Sequence, residues 1–433
     1  MPRLSIHNIG PIRDLDISLN RINVIIGPQS SGKSTVAKII SFCQWLEKDL
    51  IVRQGLEHVD ERLLVQVLIK YHNMSDYFRD DSAFSYHGTA ISLEYADKKV
   101  HVSRTEGFGS APVSKNAYIP AERNLVALPG IASLEWPQFY LRNFLFDWLS
   151  IRDRYGRDDA LSLKNLGVDY YYREADRENV LVMPSGQEIH LDQASSGLQS
   201  ATPLYVFLNY LTDWIYRNDA DRSYDKQRTL DMGSARRALM EQAGLDPGRL
   251  DSILSGGEAP ELKDAFEKMV STLVDASRGG DASNPLMQRM NALRSTAARP
   301  RFSNIVIEEP EQNLFPATQA GLIYDILAMV DHGRDNLVIT THSPFILYAL
   351  NNCMIAHTTP AAATGELELD FGPRSFVDPA IVSVWELRDG YIENYDGRRN
   401  VTIQDADGLI RSNYFDRVMS NIMADFTNLV SSR

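Results

Sequence analysis

Three short apolar runs punctuate the chain, and each stops at a cluster of small or polar residues. Ile22–Ile26 leads into Gly27-Pro28-Gln29-Ser30-Ser31-Gly32-Lys33-Ser34-Thr35. Ile305-Val306-Ile307 leads into Glu308-Glu309-Pro310-Glu311, and Leu337-Val338-Ile339 leads into Thr340-Thr341-His342-Ser343. Unbroken β-branched runs of this length predict strands buried on both faces. The stretches Leu4–Ile9 and Leu15–Leu19 instead alternate apolar and polar residues around Gly10-Pro11, which predicts a hairpin. Further hairpins are expected over 84–104, turning at Ala96–Lys99, and over Val180–Leu191, turning at Pro184-Ser-Gly186. Helical spacing follows Thr35 and recurs over 41–80 and 131–165. It appears again in Leu204, Phe207, Leu208, Leu211 and Ile215, and in Tyr414, Val418, Ile422 and Phe426. The aromatic stripe Trp136, Phe139, Tyr140, Phe144, Phe146 and Trp148 reads as core. The fold class expected is α/β.

The first polar cluster has the spacing Gly-x-x-x-x-Gly-Lys-Ser between a strand and a helix, which is the P-loop pattern. Glycines let backbone N–H groups approach phosphate oxygens, and the helix start adds its positive dipole end. Residues Gly27–Thr35 would bind ATP, with Lys33 at the β/γ-phosphates and Ser34 on Mg²⁺. The second cluster places two carboxylates at a strand end. Glu308 would complete the Mg²⁺ shell and Glu309 would act as general base on the attacking water. His342, following a third strand tip, is a candidate sensor of the γ-phosphate.

Composition narrows the remaining chemistry. There are 44 Lys+Arg against 57 Asp+Glu, a net charge of −13, so binding of nucleic acid through the overall field is not favoured and would need a local basic patch. Arg289, Arg294, Arg299 and Arg301 could supply one, although a solvated face is the simpler reading. Two distant cysteines, Cys43 and Cys353, exclude a disulfide scaffold and a zinc hook. No apolar stretch reaches membrane-spanning length and the first residues carry no signal-peptide pattern, so the expected location is the cytoplasm.

Together, the Gly27–Ser34 loop, the Glu308-Glu309-Pro310-Glu311 strand end and Thr341-His342-Ser343-Pro344 resemble the ABC-type ATPase head of the RecF/SMC/OLD-like branch. Tyr118-Ile-Pro-Ala-Glu-Arg123 and Glu309–Pro316 further resemble the ATPase subunits of anti-phage systems, PARIS-type first and Septu-type second. The resemblance implies a P-loop core with a mixed sheet, an antiparallel β lobe and a helical insertion. Its expected divisions are 1–130 with the ATP loop, 131–210 with a signature motif, an insertion at 211–301, the second half of the core at 302–360 and a hairpin and helix at 361–433. It also implies a signature motif that completes the site of a second copy. Two segments compete: Leu254-Ser-Gly-Gly-Glu258 and Gln193-Ala-Ser195-Ser196-Gly197-Leu-Gln199-Ser200. Family members carry Ser-Ser-Gly-x-Gln after a hairpin, which selects Ser195, Ser196, Gly197 and Gln199. The other segment is then the start of a helix. Glu122 or Arg123 falls near the family's phosphate-sensing lever. The OLD-type nuclease domain is not expected, because only about 90 residues follow His342 and their acidic residues are scattered. The function implied is an ATPase sensor or scaffold, at least a homodimer, that controls a separate effector such as a nuclease; the alternative is a RecF-like DNA-clamping ATPase.

Overall fold

The structure is a computed structural model and describes the whole chain except residues 132, 133, 135–138, 219–223, 246, 256–259, 279–283 and 433. Strands β1 (Arg3–Ile9) and β2 (Ile12–Ser18) form the hairpin expected around Gly10-Pro11, with Ile9 opposite Ile12. The P-loop strand β3 (Ile22–Ile26) follows, and then helix α1 (Lys33–Arg53). Strands β4 (Phe78–His87), β5 (Ile91–Ala96) and β6 (Lys99–Arg104) extend the hairpin as an antiparallel meander beside β1. The β5–β6 turn places Asp97 and Lys98 at φ 51° and 61°, the left-handed pair that a two-residue hairpin needs.

After β7 (Ser114–Ile119) and α2 (Tyr140–Ile151), a four-stranded antiparallel sheet is built from β8 (Leu161–Leu163), β9 (Val168–Arg173), β10 (Glu178–Val182) and β11 (Glu188–His190). Helix α3 (Ser196–Asn209) leads from it into a helical region made of α4 (Tyr224–Ala243), α5 (Pro247–Ser255), α6 (Pro260–Arg278) and α7 (Pro285–Ala298). The chain returns through β12 (Phe302–Glu308), α8 (Pro316–Met329), β13 (Asn336–Thr341), α9 (Pro344–Thr358), β14 (Val382–Arg388) and β15 (Tyr391–Ile392), and closes with α10 (Tyr414–Ser431).

The main sheet has eleven strands in the order β6-β5-β4-β1-β2-β15-β14-β3-β13-β12-β7. Its half from β14 to β7 is wholly parallel, and its other half is mostly antiparallel, so the fold is mixed α/β. The apolar runs are continuous because alternate residues feed two cores. Val24, Ile307 and Ile339 face α3, α8 and α9, whereas Ile25, Val306 and Val338 face α1 and the antiparallel lobe. The aromatic stripe behaves accordingly: Tyr140, Phe144 and Trp148 are buried, Phe146 turns outward and Trp136 lies outside the described residues.

Helices α4, α6 and α7 share a small core of their own around Ala235, Val270 and Met290. That core docks on the back of α1. At Gly233 a Cβ would stand 1.7 Å from the Val52 carbonyl oxygen, so only glycine permits this approach. Arg236 donates to Glu57 at 2.7 Å and to Glu267 at 2.5 Å, and Arg104 forks onto Asp251 at 2.7 and 2.8 Å. Two of the four arginines of the suspected basic patch are neutralised from within: Arg289 pairs with Glu241 and Arg294 with Asp231.

Candidate functional site

Parallel register brings the ends of the apolar runs to one edge. Ile26 lies opposite Thr341 on one side and Glu386 on the other, Thr340 opposite Glu308, and Ile307 opposite Ile119. Everything immediately after these residues therefore meets along a single line.

The loop after β3 turns through Gly27 at φ 151°, Ser30 at 60° and Gly32 at 105°. A Cβ on Gly27 would strike the Leu387 carbonyl oxygen at 2.1 Å, and one on Gly32 would strike Ile12 Cδ1 at 2.5 Å. Gln29 and Ser30 are exposed, Pro28 is half-buried, and Ser31, Lys33 and Thr35 are buried. No side chain caps the start of α1, so its first N–H groups face the loop.

Lys33 lies folded back on this loop. Its Nζ donates to the carbonyls of Gly27 at 3.0 Å and Pro28 at 2.8 Å, and stands 3.3 Å from His342 Nδ1. Burial pulls its pKa from 10.5 down to about 8, against the opposing charges of Glu309, Glu311 and Glu308. His342 Nε2 lies 2.9 Å from Glu309 Oε1. An ammonium can only donate and a carboxylate only accept, so the neutral ring fits with its proton on Nε2 and the lone pair of Nδ1 toward Lys33. Three residues from three strand ends, Lys33, His342 and Glu309, form one hydrogen-bonded chain.

The three carboxylates of this cluster are held differently. The bond from His342 keeps the Glu309 carboxyl below the usual carboxylate range despite partial burial. Glu308 is buried and its pKa is raised by that burial, with Tyr118 and Ser34 opposing; its Oε1 has no hydrogen-bond partner. Ser34 itself is exposed at the first turn of α1. An orphaned carboxylate oxygen at the foot of a phosphate-type loop, with the Ser34 hydroxyl alongside, is a donor set suited to a hard divalent cation. Glu311 is half-buried, and desolvation raises its pKa too. Its Oε1 accepts from the His342 backbone N–H at 2.6 Å and from Thr341 Oγ1 at 2.8 Å, which fixes the turn that carries His342. Ser343 caps α9, accepting from Phe345 N at 3.1 Å and Ile346 N at 3.3 Å.

Arg123 is the residue whose place the sequence concealed. It is fully buried and touches no ligand face. Nε donates to the carbonyl of Ser200 on α3 at 2.9 Å, Nη1 to that of Glu308 at 2.9 Å, and Nη2 to those of Glu309 and Pro310, both at 3.0 Å. Burial lowers its pKa to about 10, so it stays a cation. Its fork ties the acidic strand end to the helix that begins at Ser196. The Tyr118–Arg123 segment signalled importance, but nothing local shows that its arginine reads backbone carbonyls 77 and 185 residues away.

Among the signature candidates, Ser195 caps α3 by accepting from Leu198 N at 3.4 Å, and Ser195 and Ser196 are both exposed. Gly197 packs on the loop after Glu309, where a Cβ would meet the Asn313 carbonyl at 3.0 Å, and Gln199 Nε2 donates to the Asp192 carbonyl at 2.9 Å. Leu254 and Ser255 end α5 instead of starting a helix, which corrects the expectation for that segment; residues 256–259 lie outside the described residues. The helix after it, α6, leaves Leu262 and Met269 exposed. The acidic residues of the tail include a spaced pair, Asp405-Ala406-Asp407. It closes a turn: Asp405 accepts from the N–H of Asp407 at 3.0 Å and Leu409 at 2.9 Å, and pairs with Arg411.

No helix among the described residues is long and apolar enough to cross a membrane. A search of curated proteins gives no significant match. A protein-family model described as an AAA domain matches residues 3–82. Solved structures with a detectable likeness include an SMC head domain from Thermotoga maritima (10% identity, 80% of this chain and 90% of that one, TM-score 0.34) and the recombination mediator protein RecF bound to an ATP analogue (10% identity, 90% and 96%, TM-score 0.28). A nucleotide-free ATP-binding cassette from an ABC transporter is similar at 14% identity over 90% of each chain, with a TM-score of 0.23. These likenesses are too distant to bear on mechanism, which rests on the arrangement of Lys33, His342, Glu308 and Glu309.

Proposed function

We propose that the chain binds ATP with Mg²⁺ and hydrolyses it to ADP and phosphate. The observation that carries this reading is the Lys33–His342–Glu309 chain laid across a P-loop, with the unpartnered Glu308 oxygen beneath it. Lys33 exchanges the Gly27 and Pro28 carbonyls for the β/γ-phosphates, where its charge is better used. Ser34 and Glu308 would hold Mg²⁺, which supplies positive charge against the phosphate oxygens. His342 turns its Nε2–H from Glu309 toward the γ-phosphate, and the freed Glu309 carboxylate accepts the proton of the attacking water. Without nucleotide, the same histidine bond keeps Glu309 a weak base, which suppresses idle chemistry.

The Lys33 pKa gives this reading a pH signature. At pH 8.5 most of the free Lys33 is neutral, whereas a bound triphosphate favours the ammonium. ATP binding is expected to take up roughly half a proton or more at pH 8.5 and little from this group at pH 7, with affinity falling as pH climbs through about 8. For the unliganded protein the sign is opposite: between pH 8 and 10.5 the unfolded chain binds more protons at this lysine, so its contribution to stability rises with pH. Calorimetric titration in two buffers of different ionisation enthalpy measures the uptake. Equal uptake in Lys33→Arg and wild type at pH 8.5 would assign the proton elsewhere.

We further infer that the exposed Ser195–Gln199 turn completes the site of a second copy, in which backbone N–H groups at the start of α3 and Ser196 face the partner's γ-phosphate. Ser196→Arg is then expected to lower turnover at least tenfold, whereas Ser255→Arg stays within about twofold; tenfold corresponds to ~1.4 kcal/mol of transition-state stabilisation. Mixing Lys33→Ala with Ser196→Arg subunits restores one intact composite site and partial activity. The reverse ranking of the two serine variants restores Leu254–Glu258 as the signature.

In this reading ATP-dependent engagement of two heads holds or releases a separate effector, as a sensor or scaffold subunit of an anti-phage system would. Internal pairing of the arginines of α7 supports an effector protein over nucleic acid as the partner. The purified chain should release phosphate from Mg²⁺-ATP and leave DNA and RNA uncut. ATP-dependent retention of DNA on the protein at 150 mM salt would favour the DNA-clamping alternative instead.

A further inference from the structure

Helix α10 spans 18 residues, and none of them is buried. Its first turn is firmly anchored. Asn413 and Asp416 form a reciprocal cap, the Tyr414 N–H donates to Glu386 at 2.9 Å, Arg417 pairs with the same buried carboxylate, and Tyr348 of α9 bonds Asp416. Beyond Arg417 the helix presents Met419, Ile422, Phe426 and Leu429, each more than half exposed. Their spacing of three, four and three residues is the seam of a two-helix coil. Val418 and Met423 widen that seam and are also exposed.

We propose that this face pairs with the same face of a second copy, without nucleotide. The charge pattern selects the occupant. Residues 418–431 contain one charged side chain, Asp425. A membrane surface or a nucleic acid calls for Lys and Arg along the polar face, and the nearest cation, Arg417, is committed to Glu386. A second copy needs only an apolar, self-complementary face, as a two-fold interface supplies. In a chain of net charge −13, this nearly neutral strip is also where two copies meet with the least repulsion. The exposed apolar side chains of α10 supply part of the ~800 Å² per partner that a stable interface buries. Tyr348 of α9, which bonds Asp416 at the foot of α10, is itself partly exposed. This pairing is separate from the ATP-dependent engagement above. It would keep two heads at high local concentration between turnover cycles, so each engagement becomes an intramolecular event.

Sedimentation equilibrium of the full chain without nucleotide tests the proposal. The wild type is expected at twice the chain mass of 48.8 kDa, and Lys33→Ala likewise. The double variant Ile422→Glu, Phe426→Glu should sediment as a monomer, with association weakened at least 100-fold and an unchanged circular dichroism spectrum. Hydrogen exchange on the wild type gives a check that needs no variant: α10 amides become more protected as protein concentration rises. A nucleotide-free monomer at ~100 μM overturns the proposal, as does a double variant that still pairs or α10 exchange independent of concentration. Flotation of a monomeric wild type with phosphatidylserine vesicles, lost in the double variant, would give the face to a membrane instead. A dimer that forms only with ATP and disappears in Ser196→Arg removes this seam and leaves the ATPase reading standing.

Discussion

Glu309→Gln should bind Mg²⁺-ATP as tightly as wild type while turnover falls by about 10²-fold or more. An amide is nearly isosteric with the carboxylate but cannot accept the proton of the attacking water. The structure sharpens the expectation, because Glu309 is the only one of the three clustered glutamates whose pKa is held down: burial raises both Glu308 and Glu311. Glu311 commits its Oε1 to the His342 N–H and Thr341, which gives that oxygen a structural part in the turn. Loss of the Glu309 charge weakens the bond from His342 Nε2, yet a glutamine Oε1 still accepts it, so the local turn should survive. Single-turnover phosphate release beside an ATP-binding titration checks both halves. Turnover within about threefold of wild type would move the general base to another residue, since typical losses on removing one are far larger.

Lys33→Ala should weaken ATP binding by on the order of 10²-fold, the scale of losing charge-assisted hydrogen bonds worth about 1.5–3 kcal/mol. In the unliganded protein the substitution also strips the Gly27 and Pro28 carbonyls of their donor, so some loss of stability accompanies it. Thermal unfolding with and without ligand separates the two effects. At 100-fold excess over Kd, a bound ligand adds about 2.7 kcal/mol to the wild type, and the variant should gain only a small part of that at the same ATP concentration. An equal ligand-induced shift in both proteins would remove Lys33 from the phosphate contact and with it the P-loop reading. The intervening chemistry is testable in the same samples, because nucleotide binding must first break the Lys33–His342 contact.

The parts of this molecule legible in its sequence are those written in local periodicity. Unbroken apolar runs announced the buried strands that end at Ile26, Glu308 and Thr341, and alternation announced the hairpins at Gly10-Pro11 and Ala96–Lys99. Both patterns follow from which faces of a strand lose water, so a single chain carries them without reference to distant residues. The glycines and lysine of the loop are equally local, because backbone conformations such as φ 151° at Gly27 and 105° at Gly32 restrict the residue type at the position itself.

Tertiary structure decided what depends on pairing across the chain. Val382–Leu387 reads as one arm of a terminal hairpin, and its end does turn back on β15, with Leu387 opposite Ile392. Its longer ladder, however, runs parallel to the P-loop strand, with Glu386 opposite Ile26, so β14 walls the loop. Arg123 satisfies carbonyls at Ser200, Glu308, Glu309 and Pro310, and a backbone acceptor leaves no trace in residue identity. The folded-back Lys33, with His342 bridging it to Glu309, exists only because parallel register aligns three strand ends that lie up to 309 residues apart. The bare face of α10 shows the same division most simply. Its three- and four-residue spacing announces an amphipathic helix, but whether that face meets this chain's own core or is left for another molecule is settled by where the surrounding strands and helices have already closed.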